Sequence, residues 1–129
     1  MDSVFSKIIR REIPAYIVAE DDDFIAFLDI HPLNIGHTLV VPKKEVDYLF
    51  DIDDDYLRSY IVFVKRVAIK IKKAIPCSRV GMSVLGFDIP HAHIHLVPIN
   101  TTEDMNFSRA PLSISDNEMR EIQQRISKA

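Results

Sequence analysis

His91-Ala92-His93-Ile94-His95-Leu96-Val97 is a run in which histidines and apolar residues take turns. Alternation of this kind predicts a β-strand, because successive side chains on a strand leave by opposite faces. Over Ala92 to Val97 one face then carries imidazoles and the other carries Ala92, Ile94 and Leu96, so the strand seats itself on one side and presents chemistry on the other. A lone histidine packs into a core readily. Three of the chain's five histidines on one face of one strand have no packing reason. The remaining two, His31 and His37, follow Asp29 in the next informative region upstream, with His31 read as a solvated surface residue.

Working outward, Val80 to Leu85 reads as the preceding strand and Gly86 to Pro90 as the turn between them. Upstream of that, Leu57, Tyr60, Ile61, Val64, Val67, Ala68, Ile71 and Ala74 recur at spacings of three and four, which predicts a long amphipathic helix over Asp54 to Ile75. Asp53 to Asp55 at its start and Lys70, Lys72 and Lys73 near its end suit the helix dipole. Val62, Phe63 and Ile69 fall outside that stripe and offer a second surface, either for core packing or for another subunit. Strands are predicted at Tyr16 to Glu20, Phe24 to Leu28 and Thr38 to Val41, the first two joined by the Asp21-Asp22-Asp23 turn. A short helix over Ser3 to Arg11 is stopped by Ile13-Pro14. Ser115 and Glu118 form a capping box for a final helix with Ile122 and Ile126 on its apolar side. The short links between strands favour antiparallel pairing, so the fold class is α+β, with helices against one face of the sheet.

The chain has 129 residues and a mass of 14.8 kDa, the size of a single domain spanning 1–129. No uninterrupted apolar run exceeds five residues, which argues against a membrane span or a secretory leader. Sixteen basic and nineteen acidic residues give a net charge of −3, unlike the basic footprint of a general nucleic-acid binder. One cysteine, Cys77, excludes an intrachain disulfide and suits a reducing, cytoplasmic setting.

Spacing alone leaves two kinds of chemistry open. Imidazoles ligate zinc, but His91 and His95 stand about 13 Å apart along a strand, so an ion takes at most two of the triplet, plus His37 or an acid. Alternatively a neutral imidazole attacks an electrophilic phosphorus while its neighbours move protons and hold oxygens.

The His-apolar-His-apolar-His-apolar-apolar pattern resembles the signature of the histidine-triad (HIT) family of nucleotide hydrolases and transferases. Val4 to Ile9 with Glu12-Ile13-Pro14, then Phe27-Leu28-Asp29-Ile30, then Gly36 to Lys44, resemble the successive blocks of its Hint-like branch, with coverage from Val4 to Pro98. The resemblance implies a HIT-like antiparallel sheet and a hydrolase of purine-nucleoside phosphoramidates or related nucleoside-monophosphate esters. The reaction would run through a nucleotidyl-histidine on His93. His95 would then hold a phosphate oxygen or the leaving group, and His91 and His37 would support the nucleophile. Asp29 matches the acid that binds the ribose, with Ile30 beside it. Phe5, Ile8, Phe27 and Leu39 match the base pocket, and Gly86 and Asp88 replace the usual elements of a phosphate loop that is shorter here. The protein is expected to be a homodimer without cofactor or catalytic metal, with no nucleic-acid polymer and no membrane among its partners. Ser3 and Ser6 stand where many bacterial relatives carry Cys-x-x-Cys, and Glu45 where they carry His, so their structural zinc site is expected to be lost. The alternatives are a dinucleoside polyphosphate hydrolase of the same fold and a nucleotide-binding adaptor with negligible turnover. The tail from Ile99 onward adds nothing to the resemblance.

Overall fold

Every residue of Phe24–Leu28 is buried, although only one face of a strand could turn toward helices placed on one side of a sheet. The computed structural model, which describes residues 2–129, explains this by covering both faces. Five strands, β1 Ile17–Glu20, β2 Phe24–Leu28, β3 Thr38–Pro42, β4 Arg79–Ser83 and β5 Ile94–Ile99, pair antiparallel in the order β1-β2-β3-β5-β4. On one face Phe24, Ala26, Leu28, Val40, Ile94 and Leu96 join the apolar sides of α2, Asp54–Ala74, and α3, Asp116–Ser127. On the other, Ile25, Phe27, Leu39 and Val41 pack against Phe5 and Ile8 of α1, Val4–Ile9. The α+β class holds, but α1 lies opposite the other two helices rather than with them.

α1 ends earlier than the Pro14 signal implies. Ser3 caps its start, accepting from the Ser6 N–H at 3.0 Å, and the chain turns out of the helix at Arg11, whose φ is +64°. A left-handed residue cannot continue a right-handed helix. In α2 the apolar stripe is rotated from the expected one. Tyr60, Phe63, Val64, Val67 and Ile71 are buried, whereas Ile61 is exposed. Phe63 turns inward because its ring meets Phe24 of β2, with centroids 5.5 Å apart. Ser115 accepts from the Glu118 N–H at 3.2 Å and starts α3 as the capping signal requires.

The histidine strand is displaced by two residues. It begins at Ile94 and runs to Ile99, because the backbone before it bonds elsewhere: His91 N–H donates to Ile89 O at 2.8 Å and Ala92 N–H to Val46 O at 2.7 Å. Register with β3 pairs Leu39 with His95, which places that imidazole on the α1 side of the sheet. No helix among the described residues is long and apolar enough to cross a membrane.

Candidate active site

The loop between β2 and β3 brings Asp29 and His37 to the end of β5. Gly36 makes this possible: its φ is +91°, and a Cβ there would lie 2.9 Å from Ile75 Cγ1. Asp29 N–H donates to His37 O at 3.0 Å, closing the loop on itself. Asp29 Oδ1 accepts from the His31 N–H at 2.8 Å, so the carboxylate is held in place by backbone.

Hydrogen bonds to main-chain groups, and for His95 to the His37 ring, decide where these imidazoles carry their protons. Leu33 N–H donates to His37 Nδ1 at 3.0 Å. A neutral His37 therefore has its proton on Nε2, which lies 3.0 Å from His95 Nδ1 and 3.4 Å from Asp29 Oδ2. His95 Nδ1 accepts from His37, which leaves an N–H on its own Nε2. His93 Nδ1 lies 2.8 Å from the His91 carbonyl, which only accepts, so Nδ1 carries the proton and Nε2 of a neutral ring carries the lone pair. His91 Nε2 donates to Pro42 O at 2.7 Å, and its Nδ1 is 2.7 Å from Ser3 Oγ.

Burial favours the neutral form of three of these rings. It pushes His95 down to about 4, helped by the positive charge that His37 and His93 would add and opposed by Asp29. It also lowers His37 against the pull of Asp29, and lowers His91 against the Pro42 carbonyl and Glu45. His95 and His93 stand edge to face with centroids 5.1 Å apart, and Phe5 meets His93 at the same distance.

A cleft of about 1030 Å³ opens over these rings. His93, His95, His37, Asp29, Ile30 and Asp88 line it, and Phe5, Ile8, Phe27 and Leu39 form an apolar part of its wall. His31 is exposed and also borders it. His91 is fully buried behind His93 and does not reach the cleft wall. Gly86, at φ +84°, lies outside the lining, with open space where a Cβ would be. Residues of the tail enter instead, among them Phe107, Arg109 and Pro111 and, from α3, Arg120, Gln123 and Gln124. The Phe107 ring stands 4.8 Å from His95 and 6.2 Å from His37, and Arg109 lines the wall beside it, its guanidinium donating to Leu33 O at 3.1 Å. An aromatic residue and an arginine in an otherwise polar loop, Asn106 to Arg109, carry no periodicity from which this could be read.

Neither cluster of possible ligands suits a metal ion. Asp29, His37 and His95 each place one ligand atom within 4.8 Å of the others. The atom His37 would offer, Nε2, already holds the ring's proton. Ser3, Ser6, Glu45 and His91 do converge, as the zinc-bearing pattern requires, but they do so as a hydrogen-bonded set. Ser6 Oγ donates to Glu45 Oε1 at 2.7 Å, and the hydroxyls supply no thiolate. These residues do not fit a zinc ion.

A sequence profile described as the HIT domain matches residues 10–102. An uncharacterised HIT-like protein of Borreliella burgdorferi is 32% identical over 98% of this chain and 96% of its own. The adenosine 5′-monophosphoramidase of Saccharomyces cerevisiae is 34% identical over 74% of this chain and 61% of its own. The crystal structure of a HIT-like protein from Bartonella henselae superposes with a TM-score of 0.85 at 32% identity, covering 98% of this chain and 95% of that one. With its histidine triplet, its five-stranded sheet and these relatives, the chain belongs to the HIT family, whose fold binds and hydrolyses nucleotides.

Proposed function

We propose that this protein hydrolyses purine-nucleoside phosphoramidates or related nucleoside-monophosphate esters through a nucleotidyl intermediate on His93. The observation that carries the reading is the pair of tautomers facing the cleft: a lone pair on His93 Nε2 beside an N–H on His95 Nε2. In the first step the His93 lone pair forms a bond to the α-phosphorus and the phosphorus–nitrogen bond of the substrate breaks. The His95 N–H donates a hydrogen bond to the departing nitrogen, which leaves as the amine with a proton taken up from solvent. In the second step water attacks the phosphorus and gives a proton up to solvent, and the bond to His93 breaks to release the nucleoside monophosphate and the neutral ring.

Asp29 is suited to the ribose, since its carboxylate is already oriented by the His31 N–H and retains lone pairs for two hydroxyls. The apolar wall of Phe5, Ile8, Phe27 and Leu39 suits a purine ring, with Ile30 and Asp88 at the edges of the same cleft. His37 holds His95, and His91 holds His93. No cofactor enters the scheme, and neither a nucleic-acid polymer nor a membrane is among the partners. Cytoplasmic residence fits the single cysteine, Cys77, which is free. A homodimer fits the outer row of α2, where Ile61, Val62 and Ile69 are exposed beside the unpaired edge of β4 and its exposed Met82.

The size of the cleft favours one further substrate class. About 1030 Å³ is at the upper limit of ordinary small-ligand clefts, roughly 300–1,000 Å³, and leaves space for a large leaving group such as the second half of a dinucleoside polyphosphate. Incubating the protein with adenosine phosphoramidate and, separately, with a diadenosine polyphosphate, then quantifying AMP, tests both. Release from the first supports the phosphoramidase reading, and faster release from the second favours the polyphosphate. Tight nucleotide binding with release from neither would make the protein an adaptor.

A further inference from the structure

His91 does not line the cleft, yet it sits in a hydrogen-bonded polar cluster with Ser3, Ser6 and Glu45. The ring is fully buried and tied at both ends, Nε2 donating to Pro42 O at the end of β3 and Nδ1 meeting Ser3 Oγ at 2.7 Å. Ser6 Oγ is further away, 3.5 Å from the same nitrogen. Glu45 Oε1 accepts the Ser3 main-chain N–H and the Ser6 hydroxyl, both at 2.7 Å, and lies 4.0 Å from His91 Nδ1. These two donors, the Ser3 N–H first, hold the Glu45 carboxyl down to about 2, so it is ionised at any physiological pH.

The protons can be counted. The Ser6 hydroxyl is committed to Glu45, and the proton of a neutral His91 is committed to Pro42. The Ser3 Oγ accepts from the Ser6 N–H to cap α1. Its own proton therefore has three directions, the Glu45 carboxylate, Ser6 Oγ at 3.3 Å and His91 Nδ1 at 2.7 Å, and the His91 contact is at normal hydrogen-bond length and shorter than that to Ser6. The same helix α1 carries Phe5, whose ring meets both His91 and His93. One short helix thus touches both rings, with a hydroxyl on one and an aromatic edge on each.

We infer that Ser3, Ser6 and Glu45 are positioning residues for the nucleophile: by fixing the tautomer and seat of His91 they fix the peptide carbonyl that accepts from His93 Nδ1, and so keep the lone pair of His93 on Nε2, facing the cleft. The ionised Glu45 aligns the two serines, Ser3 aligns the imidazole, and the imidazole aligns its own main chain. This set of hydrogen bonds stands at the positions where the resemblance puts a zinc site, and it orients His91 without a metal. The role assigned to His93 is that of the proposed reaction, on which this inference rests, but its central claim concerns ring tautomers and is measurable without any substrate.

The test uses the full chain with ¹⁵N-labelled histidine and reads the imidazole nitrogens by NMR at neutral pH, in the wild type and in Ser3→Ala, Ser3→Thr and Glu45→Gln. The wild type is expected to show a proton on Nδ1 of His93 and on Nε2 of His91. Ser3→Ala should turn the His93 signals into a mixture of tautomers and lower kcat about tenfold at nearly constant KM, and Ser3→Thr, which keeps the hydroxyl and the helix cap, should restore both. Should Ser3→Ala not fold, Glu45→Gln, which leaves the cap in place, decides with the same spectra. A folded Ser3→Ala or Glu45→Gln protein with an unchanged His93 tautomer overturns the inference. Tautomers that respond as stated in a protein that releases no AMP would uphold the positioning role and reject the proposed reaction.

Discussion

His93 differs from the other three cleft-side and buried imidazoles in having its only bonded nitrogen tied to a carbonyl, so its free nitrogen is a nucleophile in the neutral ring. Replacing His93 with Ala should lower AMP release by several orders of magnitude while nucleotide binding persists, because no other group is placed to form the covalent intermediate. Retention of more than a tenth of the rate, measured by stopped-time product analysis, would remove His93 from that role. Asp29→Ala should weaken nucleotide binding roughly 10-fold to 100-fold, the equivalent of about 1.5 to 3 kcal/mol for charge-assisted hydrogen bonds. Calorimetry with ribo- and deoxyribonucleotides checks it, and equal affinity for the two in the wild type would count against a ribose contact. Phe107 belongs to the same scale. Burial is the largest cause of the depressed pKa of His95, and the Phe107 ring is one of the covers, so Phe107→Ala should raise that pKa from about 4 toward 6.5 in an NMR titration.

Among the elements, the loop from Asp29 to His37 is the one whose shape the site cannot do without. Gly36 sits at a positive φ and against Ile75 Cγ1, so Gly36→Ala meets both a left-handed backbone cost and a contact of 2.9 Å. A loss of about 2 to 4 kcal/mol in urea unfolding is expected from the two together. A change below 0.5 kcal/mol would show that the loop relaxes freely. Helix α1 is the second such element. It spans only Val4–Ile9 and could not persist alone at that length, yet it supplies Ser3 at its cap and Phe5 and Ile8 to the second core. Its stability is therefore tertiary, coming from the sheet face it covers and from the bonds to Glu45.

For the whole molecule, the buried imidazoles link acidity to stability. His37, His91 and His95 are all held below their ordinary value of 6.5 in the folded protein, His95 down to about 4. Between those values the unfolded chain binds more protons than the folded one, so stability is full above about pH 6.5 and falls as the pH drops toward 4. The urea midpoint should be lower at pH 5 than at pH 7.5, and an equal or higher midpoint at pH 5 would contradict the assignment of buried neutral rings. Assembly is tested at this scale too. Changing Ile61 and Ile69 to Asp on the outer row of α2 should convert a dimer to a monomer in sedimentation, without loss of helicity. The sequence by itself determined much of this protein. Alternation in His91 to Val97, the spacing of apolar residues through α2 and the capping signal at Ser115 are local patterns with local causes, and they carried the α+β class and the histidine face, while the resemblance to the HIT family added His37 and Asp29 to His93 and His95. Other features were decided only by tertiary structure. The side of the sheet that α1 covers and the inward turn of Phe63 depend on which surfaces meet. The start of β5 at Ile94 depends on a bond from Ala92 to Val46, distant in sequence. The entry of Phe107 and Arg109 into the cleft has no periodic trace. Above all, the tautomers are set by partners that the fold brings into place, Leu33 for His37, Pro42 and Ser3 for His91, His37 for His95 and the His91 carbonyl for His93, and a pattern of residue types holds no information about which nitrogen such a partner will reach.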